Sequence, residues 1–188
     1  MHFFKRFPHL LAALLLLAPL SALAITGGAY ADFSTTSLST SGAPRFNGAT
    51  IGGYGEDNLK GSFDFLNLGG DVRFSVEHAS QSGVSFGYNT LLIGPEISFK
   101  THITPLRPYA EVLFGGAYAS ANVSGGFTGY IPGVNDSASQ KYGLISYIGG
   151  VDIKMFPHLA WRALELNYGK FNGVSSTTIS TGLVLRLP

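Results

Sequence analysis

Hydrophobic and polar residues alternate along most of this chain. In LNLGGDVRFSVE, Leu66, Leu68, Gly70, Val72, Phe74 and Val76 fall on one face, and Asn67, Gly69, Asp71, Arg73, Ser75 and Glu77 fall on the other. That two-residue period belongs to a β-strand with one apolar and one polar face. After the first two dozen residues no long stretch keeps a period of 3.6, so the chain reads as all-β. Strands are predicted at Ala29–Ser37, Phe46–Gly55, Phe65–Glu77, Tyr88–Lys100, Pro108–Ala121, Leu144–Met155, Ala160–Lys170 and Thr177–Leu187. The alternation slips phase between Tyr88 and Leu92, where a bulge is expected.

The later strands repeat the two-faced pattern. Ile97 and Phe99, Val112 and Phe114, Tyr147, Val151 and Ile153, Leu164, Leu166 and Tyr168, and Leu183, Leu185 and Leu187 form apolar rows. Opposite them lie Glu96, Ser98 and Lys100, then Glu111, Asp152 and Lys154, Glu165 and Asn167, and Ser180 and Arg186. A soluble secreted sandwich or barrel buries the apolar rows, whereas a barrel in lipid turns them outward and encloses the charges.

Composition favours the second arrangement. Only 12% of the 188 residues are charged and 45% are hydrophobic, where a soluble domain carries about a quarter charged. The 25 glycines suit twisted strands and crowded interiors better than helices. Twelve Lys/Arg face eleven Asp/Glu with no basic tract, so nucleic-acid binding has no electrostatic support. Cysteine is absent, which excludes a disulfide framework, a thiolate metal site and a cysteine nucleophile.

The first residues predict export. Lys5 and Arg6 precede the apolar run Leu10 to Leu20, and Ser21-Ala22-Leu23-Ala24 offers a small-residue cleavage site, the layout of a secretory signal peptide. The run is shorter than the roughly 20 residues of a spanning helix. Residues 1–24 are therefore assigned as signal peptide and 25–188 as one barrel domain. Connection lengths carry a further expectation, because outer-membrane barrels keep short turns on the periplasmic side and longer loops outside. KTHITPLR and FPHL are compact, whereas Asn122 to Gly143 is the longest connection. Phe99, Tyr109, Phe156 and Trp161 lie near the compact turns, as an interfacial aromatic girdle would, although Tyr109 falls on the opposite face of its strand from the apolar row.

The blocks LGGDVRFS, LLIGPEISFK, LRPYAEVLFGGAYAS, WRALELNYGKF and STTISTGLVLRL together resemble the small outer-membrane β-barrel proteins of bacteria, the OmpA-like barrels. GPEISFK followed by LRPYAEVLFGGA is the most specific of them. The resemblance spans nearly the whole exported portion and implies an eight-stranded antiparallel up-and-down transmembrane barrel, monomeric, in the bacterial outer membrane, in contact with its lipids and lipopolysaccharide. The chain departs from that family in ending Leu187-Pro188, where such barrels usually finish on an aromatic residue.

Chemistry is sparse. Some eight-stranded outer-membrane barrels are lipid A deacylases with a histidine two residues before a serine nucleophile, and His78 and Ser80 have that spacing. No asparagine completes the motif, and Glu96 stands at the wrong separation to orient His78. His102 and His158 lie in turns without a third ligand, so no metal site and no cofactor is assigned. The reading is a non-enzymatic barrel with a structural or surface-interaction role and at most a minor pore. A lipid A modifying enzyme and a secreted soluble binding barrel are the rivals. Phe127, Tyr130 and Ile131 within the Gly/Ser-rich stretch 122–143 make that loop the expected contact site for an extracellular partner.

The candidate site is a lumen charge cluster. If THITPLR closes a tight hairpin, Ser98 faces Tyr109 and Glu96 faces Glu111, which sets two inward carboxylates roughly 5 Å apart. A cation must lie between them, or one acid must hold its proton. Arg73, on the polar face of the preceding strand, is the expected counter-ion for both Glu96 and Glu111 through its guanidinium fork.

Overall fold

The computed structural model describes residues 26–59, 63–101, 105–123 and 137–187. Eight strands follow one another in chain order: β1 (Thr26–Leu38), β2 (Phe46–Asn58), β3 (Leu66–Gln81), β4 (Val84–Phe99), β5 (Leu106–Val123), β6 (Ser137–Phe156), β7 (Leu159–Phe171) and β8 (Val174–Leu187). Each pairs antiparallel with the next, and β8 returns to β1, so the sheet closes into a barrel with no free edge. The near end is the one where β1 starts and β8 finishes. The far end holds the β1–β2, β3–β4, β5–β6 and β7–β8 connections.

All eight predicted strands are present, and most run longer than their alternation suggested. Those extensions alter the expected parity of the connections. β3 and β4 are joined only by Ser82-Gly83, and β7 and β8 only by Asn172-Gly173, so the far end is not uniformly the end of long loops. In both turns the two central residues have positive φ, at 52° and 80° and at 41° and 80°. That is the backbone of a type I′ hairpin, whose twist matches the flanking strands.

The expected bulge between Tyr88 and Leu92 is absent. Residues 84 to 99 pair with β3 without a break in register, and Tyr88 and Leu92 are buried inside the barrel. The apparent phase slip arose because the interior is not polar throughout. An extra residue lies instead in β7, where the register with β6 shifts by one between Val151 and Asp152 and the register with β8 shifts between Arg162 and Glu165; the β6 pairing shifts again between Lys154 and Phe156. The extra residue points both Arg162 and Glu165 inward.

The apolar rows face outward. Phe33, Ile51, Val72, Phe74, Leu91, Ile93, Phe114, Leu164, Leu166, Leu183 and Leu185 are all exposed on the wall, Phe33 by 78%. A continuous apolar surface of this extent suits hydrocarbon rather than water. Phe99, Phe156 and Trp161 are exposed near the lower turns, but Tyr109 is 4% exposed and lies in the lumen. The polar parity of β5 carries it inward, which removes it from the girdle.

The lumen has three zones. Near-end positions carry charges and tyrosines. A middle belt carries hydroxyls, among them Thr50, Ser75, Ser146 and Thr178. At the far end Phe46, Tyr88, Phe171, Ala79, Ala117 and Leu144 form an apolar plug, with Leu92, Leu113 and Ile148 extending it downward. Phe46 and Tyr88 meet at a centroid distance of 5.8 Å, and Tyr88 and Phe171 at 6.1 Å, within the range of favourable aromatic pairs.

Candidate functional site in the lumen

Alternation alone delivers the charged side chains to the interior. Asp71 and Arg73 on β3, Glu96 on β4, Arg107, Tyr109 and Glu111 on β5, and Asp152 on β6 share the inward parity of their strands, and the β7 bulge adds Arg162 and Glu165 together. All of these are buried. A buried charge is tolerable only when paired and hydrogen-bonded, and three arginines meet that requirement.

Arg73 uses every edge of its guanidinium: Nε donates to Asp71 Oδ1 at 3.0 Å, Nη2 to Glu111 Oε2 at 2.5 Å, and Nη1 to Glu165 Oε1 across the lumen at 2.9 Å. Arg107 donates to Glu96, to Glu56 Oε2 at 2.7 Å and to Asp152 Oδ2 at 3.2 Å. Arg162 bonds Asp152 Oδ1 at 3.1 Å, Asp32 Oδ2 at 3.0 Å and Glu165 Oε2 at 3.2 Å. Asp152 and Glu165 are shared between arginines, so the three clusters merge into one network running from β1 to β7.

Glu96 does stand opposite Glu111, and Ser98 opposite Tyr109. The two acids are nevertheless served by different cations. Arg73 bonds Glu111, whereas Glu96 is taken by Arg107, four positions before Glu111 on the same strand. Arg73 has its remaining edges filled by Asp71 and Glu165, neither of which the hairpin register brings into view. Carboxylate oxygens of Asp71, Glu96 and Glu111 lie within 4.8 Å of one another, a spacing that suits a metal ion. Each already accepts from an arginine, which supplies the positive charge such an ion would bring.

Tyrosines complete the packing. The Tyr30 hydroxyl donates to the Asp71 carboxylate at 2.8 Å, and the Tyr109 hydroxyl donates to Glu165 Oε2 at 2.7 Å. The Arg162 guanidinium lies 4.0 Å from the Tyr30 ring centroid and 4.9 Å from that of Tyr109, while Arg107 lies 4.6 Å from that of Tyr54. Such cation–π contacts gain strength where water is excluded. Room for two of these rings comes from glycine. A Cβ on Gly52 would sit 2.3 Å from the Tyr30 hydroxyl, and one on Gly150 would sit 2.4 Å from that of Tyr109.

Sequence reasoning missed Arg107, Arg162 and the three tyrosines as members of the network. The signal for Arg107 and the tyrosines is parity, since each falls on the polar face of its strand, whereas Arg162 has the parity of Leu164 and Leu166 and is turned inward only by the β7 bulge. His78 and Ser80 are both exposed on the outer wall, whereas Glu96 is buried in the lumen. The wall separates the pair from that carboxylate. The expected 122–143 connection is shorter than its sequence suggested, because residues 122–123 belong to β5 and 137–143 to β6. Its residues 124–136 lie outside the described residues, as do His102 and the segment 1–24 expected to be a signal peptide.

No family model matches the chain, and no curated protein matches it by sequence. Solved structures do match its fold, and those matched are small outer-membrane β-barrels. Ail, the attachment invasion locus protein of Yersinia pestis, aligns with a TM-score of 0.59 at 14% identity, covering 88% of this chain and all of Ail. Neisserial surface protein A aligns with a TM-score of 0.55 at 16% identity, covering 87% of this chain and 97% of its own. Ail in complex with the heparin analogue sucrose octasulfate aligns at 0.52 with 17% identity, covering 87% and 97%. The shared architecture is the eight-stranded closed antiparallel barrel described above.

Proposed function

We propose that this chain is an exported, monomeric outer-membrane barrel that holds its far end at the cell surface for contact with an external partner, and that it does not serve as a general diffusion pore. The observation that carries this reading is the filled lumen: an arginine and carboxylate network below, hydroxyls in the middle and an aromatic plug above. An eight-stranded barrel is just wide enough for side chains to fill, and here they do. The enclosed space in the middle of the lumen amounts to about 20 Å³, about what one water needs. An open channel would require the network and the plug to part together.

The contact role draws support from the fold likeness to an attachment protein and from the sequence of the 124–136 connection, which carries Phe127, Tyr130 and Ile131. The apolar outer wall supports residence in lipid, with phospholipid and lipopolysaccharide as neighbours. Reconstitution of the purified barrel into planar bilayers tests the reading. The expected result is no stable conductance steps, and steps of porin size would overturn it. Incubation with lipopolysaccharide followed by mass spectrometry of the lipid tests the enzymatic rival, with no fatty acid released as the expected result. Release that Ser80→Ala abolishes would establish that rival instead.

A further inference from the structure

Among the described residues, Glu77 differs from every other buried acid of the lumen. The seven acids of the network share three arginines, but Glu77, 2% exposed on β3, is bonded by hydroxyls alone. Ser34 Oγ donates to its Oε1 at 2.6 Å and Thr36 Oγ1 donates to the same oxygen at 2.9 Å. Its Oε2 is buried with no partner. Glu77 lines the 20 Å³ cavity of the hydroxyl belt, together with Ser146 and Asn167. Ser146 is fully buried and its Oγ has no partner, and neither has Asn167 Oδ1. Three residues of three strands, each with a buried unpartnered oxygen, thus line one cavity with room for a single water-sized occupant.

The chemistry of these atoms selects the occupant. A carboxylate oxygen, a hydroxyl and an amide carbonyl are hard oxygen donors of the kind that bind alkali and alkaline-earth ions. Calcium takes six to eight oxygens and magnesium keeps several waters, which a one-site cavity with a single carboxylate does not provide. A neutral water would solvate Oε2 but would leave its charge uncompensated. Seven acids on three arginines already make the lumen negative, and Arg73, which also borders the cavity, has its nitrogens engaged by Asp71, Glu111 and Glu165. We propose that this cavity binds one monovalent alkali cation, held by Glu77 Oε2 with Ser146 Oγ and Asn167 Oδ1.

The test refolds the full barrel from urea into detergent micelles, so that ions have access before the lumen closes. The salts are sodium chloride and N-methylglucamine chloride at equal ionic strength. A ligand that binds only the folded state raises stability with the logarithm of its concentration. The wild-type thermal midpoint is therefore expected to climb with sodium and to stay flat with N-methylglucamine. Glu77→Gln should lose the sodium response. Ser146→Ala, which keeps the charge, should require a higher sodium concentration for the same rise. Crystals grown with thallium(I) should show anomalous density bonded to Glu77 Oε2. Equal midpoints in the two salts, or a crystal with water alone in the cavity and no thallium, would overturn the proposal.

Discussion

Arg162 and Glu165 stand three residues apart on one strand, yet both point into the lumen and bond each other at 3.2 Å. In a regular strand, residues three apart face opposite sides. Here the extra residue of the β7 bulge restores the inward direction before Glu165, and the strand contributes a cation and an anion from adjacent inward positions. The same bulge keeps Leu164, Leu166 and Tyr168 on the outer wall.

Deletion of Ala163 should therefore be tolerated. It leaves Arg162 and Glu165 two residues apart, on one face of a regular strand, and it makes the pairings with β6 and β8 continuous. Deletion of Leu164 together with Ala163 should instead be damaging, because it brings Glu165 next to Arg162 and reverses every side chain beyond it. The expected outcome is heat-modifiable gel mobility after refolding for the single deletion and its loss for the double deletion. Loss of mobility in the single deletion would show that the bulge itself is required.

Arg73→Ala should cost on the order of 3–5 kcal/mol, the range for breaking a buried ion pair, and less where water can enter. The residue neutralises parts of Asp71, Glu111 and Glu165 together, and only Glu165 keeps a second arginine. Urea unfolding in micelles measures the loss. The deficit should shrink at strongly acidic pH, where protonation removes the carboxylate charges that Arg73 offsets. An equal deficit at neutral and acidic pH would mean that packing, and not charge, is what Arg73 supplies.

Gly150→Ala should destabilise by about 1–3 kcal/mol, the usual range for overpacking, since its Cβ would occupy the position of the Tyr109 ring. Displacing Tyr109 also breaks its bond to Glu165 and its stacking on Arg162. In a Tyr109→Leu background the added methyl should cost markedly less, a non-additivity expected of residues in contact. Additive losses would assign the effect to strand propensity alone.

Protease added to intact cells should cut first within 124–136, between β5 and β6, where small residues surround Phe127, Tyr130 and Ile131. The two-residue turns at Ser82-Gly83 and Asn172-Gly173 offer a protease little extended chain, although they lie at the same end of the barrel. Cleavage near Lys100 with the longer loop protected would place the near end outside the cell and invert the orientation.

The wall of the barrel was legible in the sequence because lipid-facing positions repeat every second residue, as in Ile97 and Phe99 or Leu183 and Leu185. Register across the β4–β5 hairpin was legible too, because a short connection sets it locally. The lumen was less so. Tyr88 and Leu92 broke the two-face rule because the far half of the interior is apolar. Arg73 meets Glu165 from 92 positions away, and Arg162 meets Asp32 across 130. Such partners are set by the stagger of all eight strands around the closed barrel, which no single strand's pattern encodes.

The network's sequence separations bear on how the chain reaches its folded state. Arg73, on β3, takes one of its three acids from β7, and Arg162, on β7, takes one of its own from β1. A sheet that has formed only through β6 would hold Asp32 without Arg162 and would leave Arg73 short of Glu165. Partial barrels are thus penalised until the seventh strand docks, and the ionic bonds mature only as the first and last strands meet. High contact order of this kind makes folding slow. Here it also concentrates the stabilising energy in the closing step, so that the last hairpin acts as the commitment point of assembly.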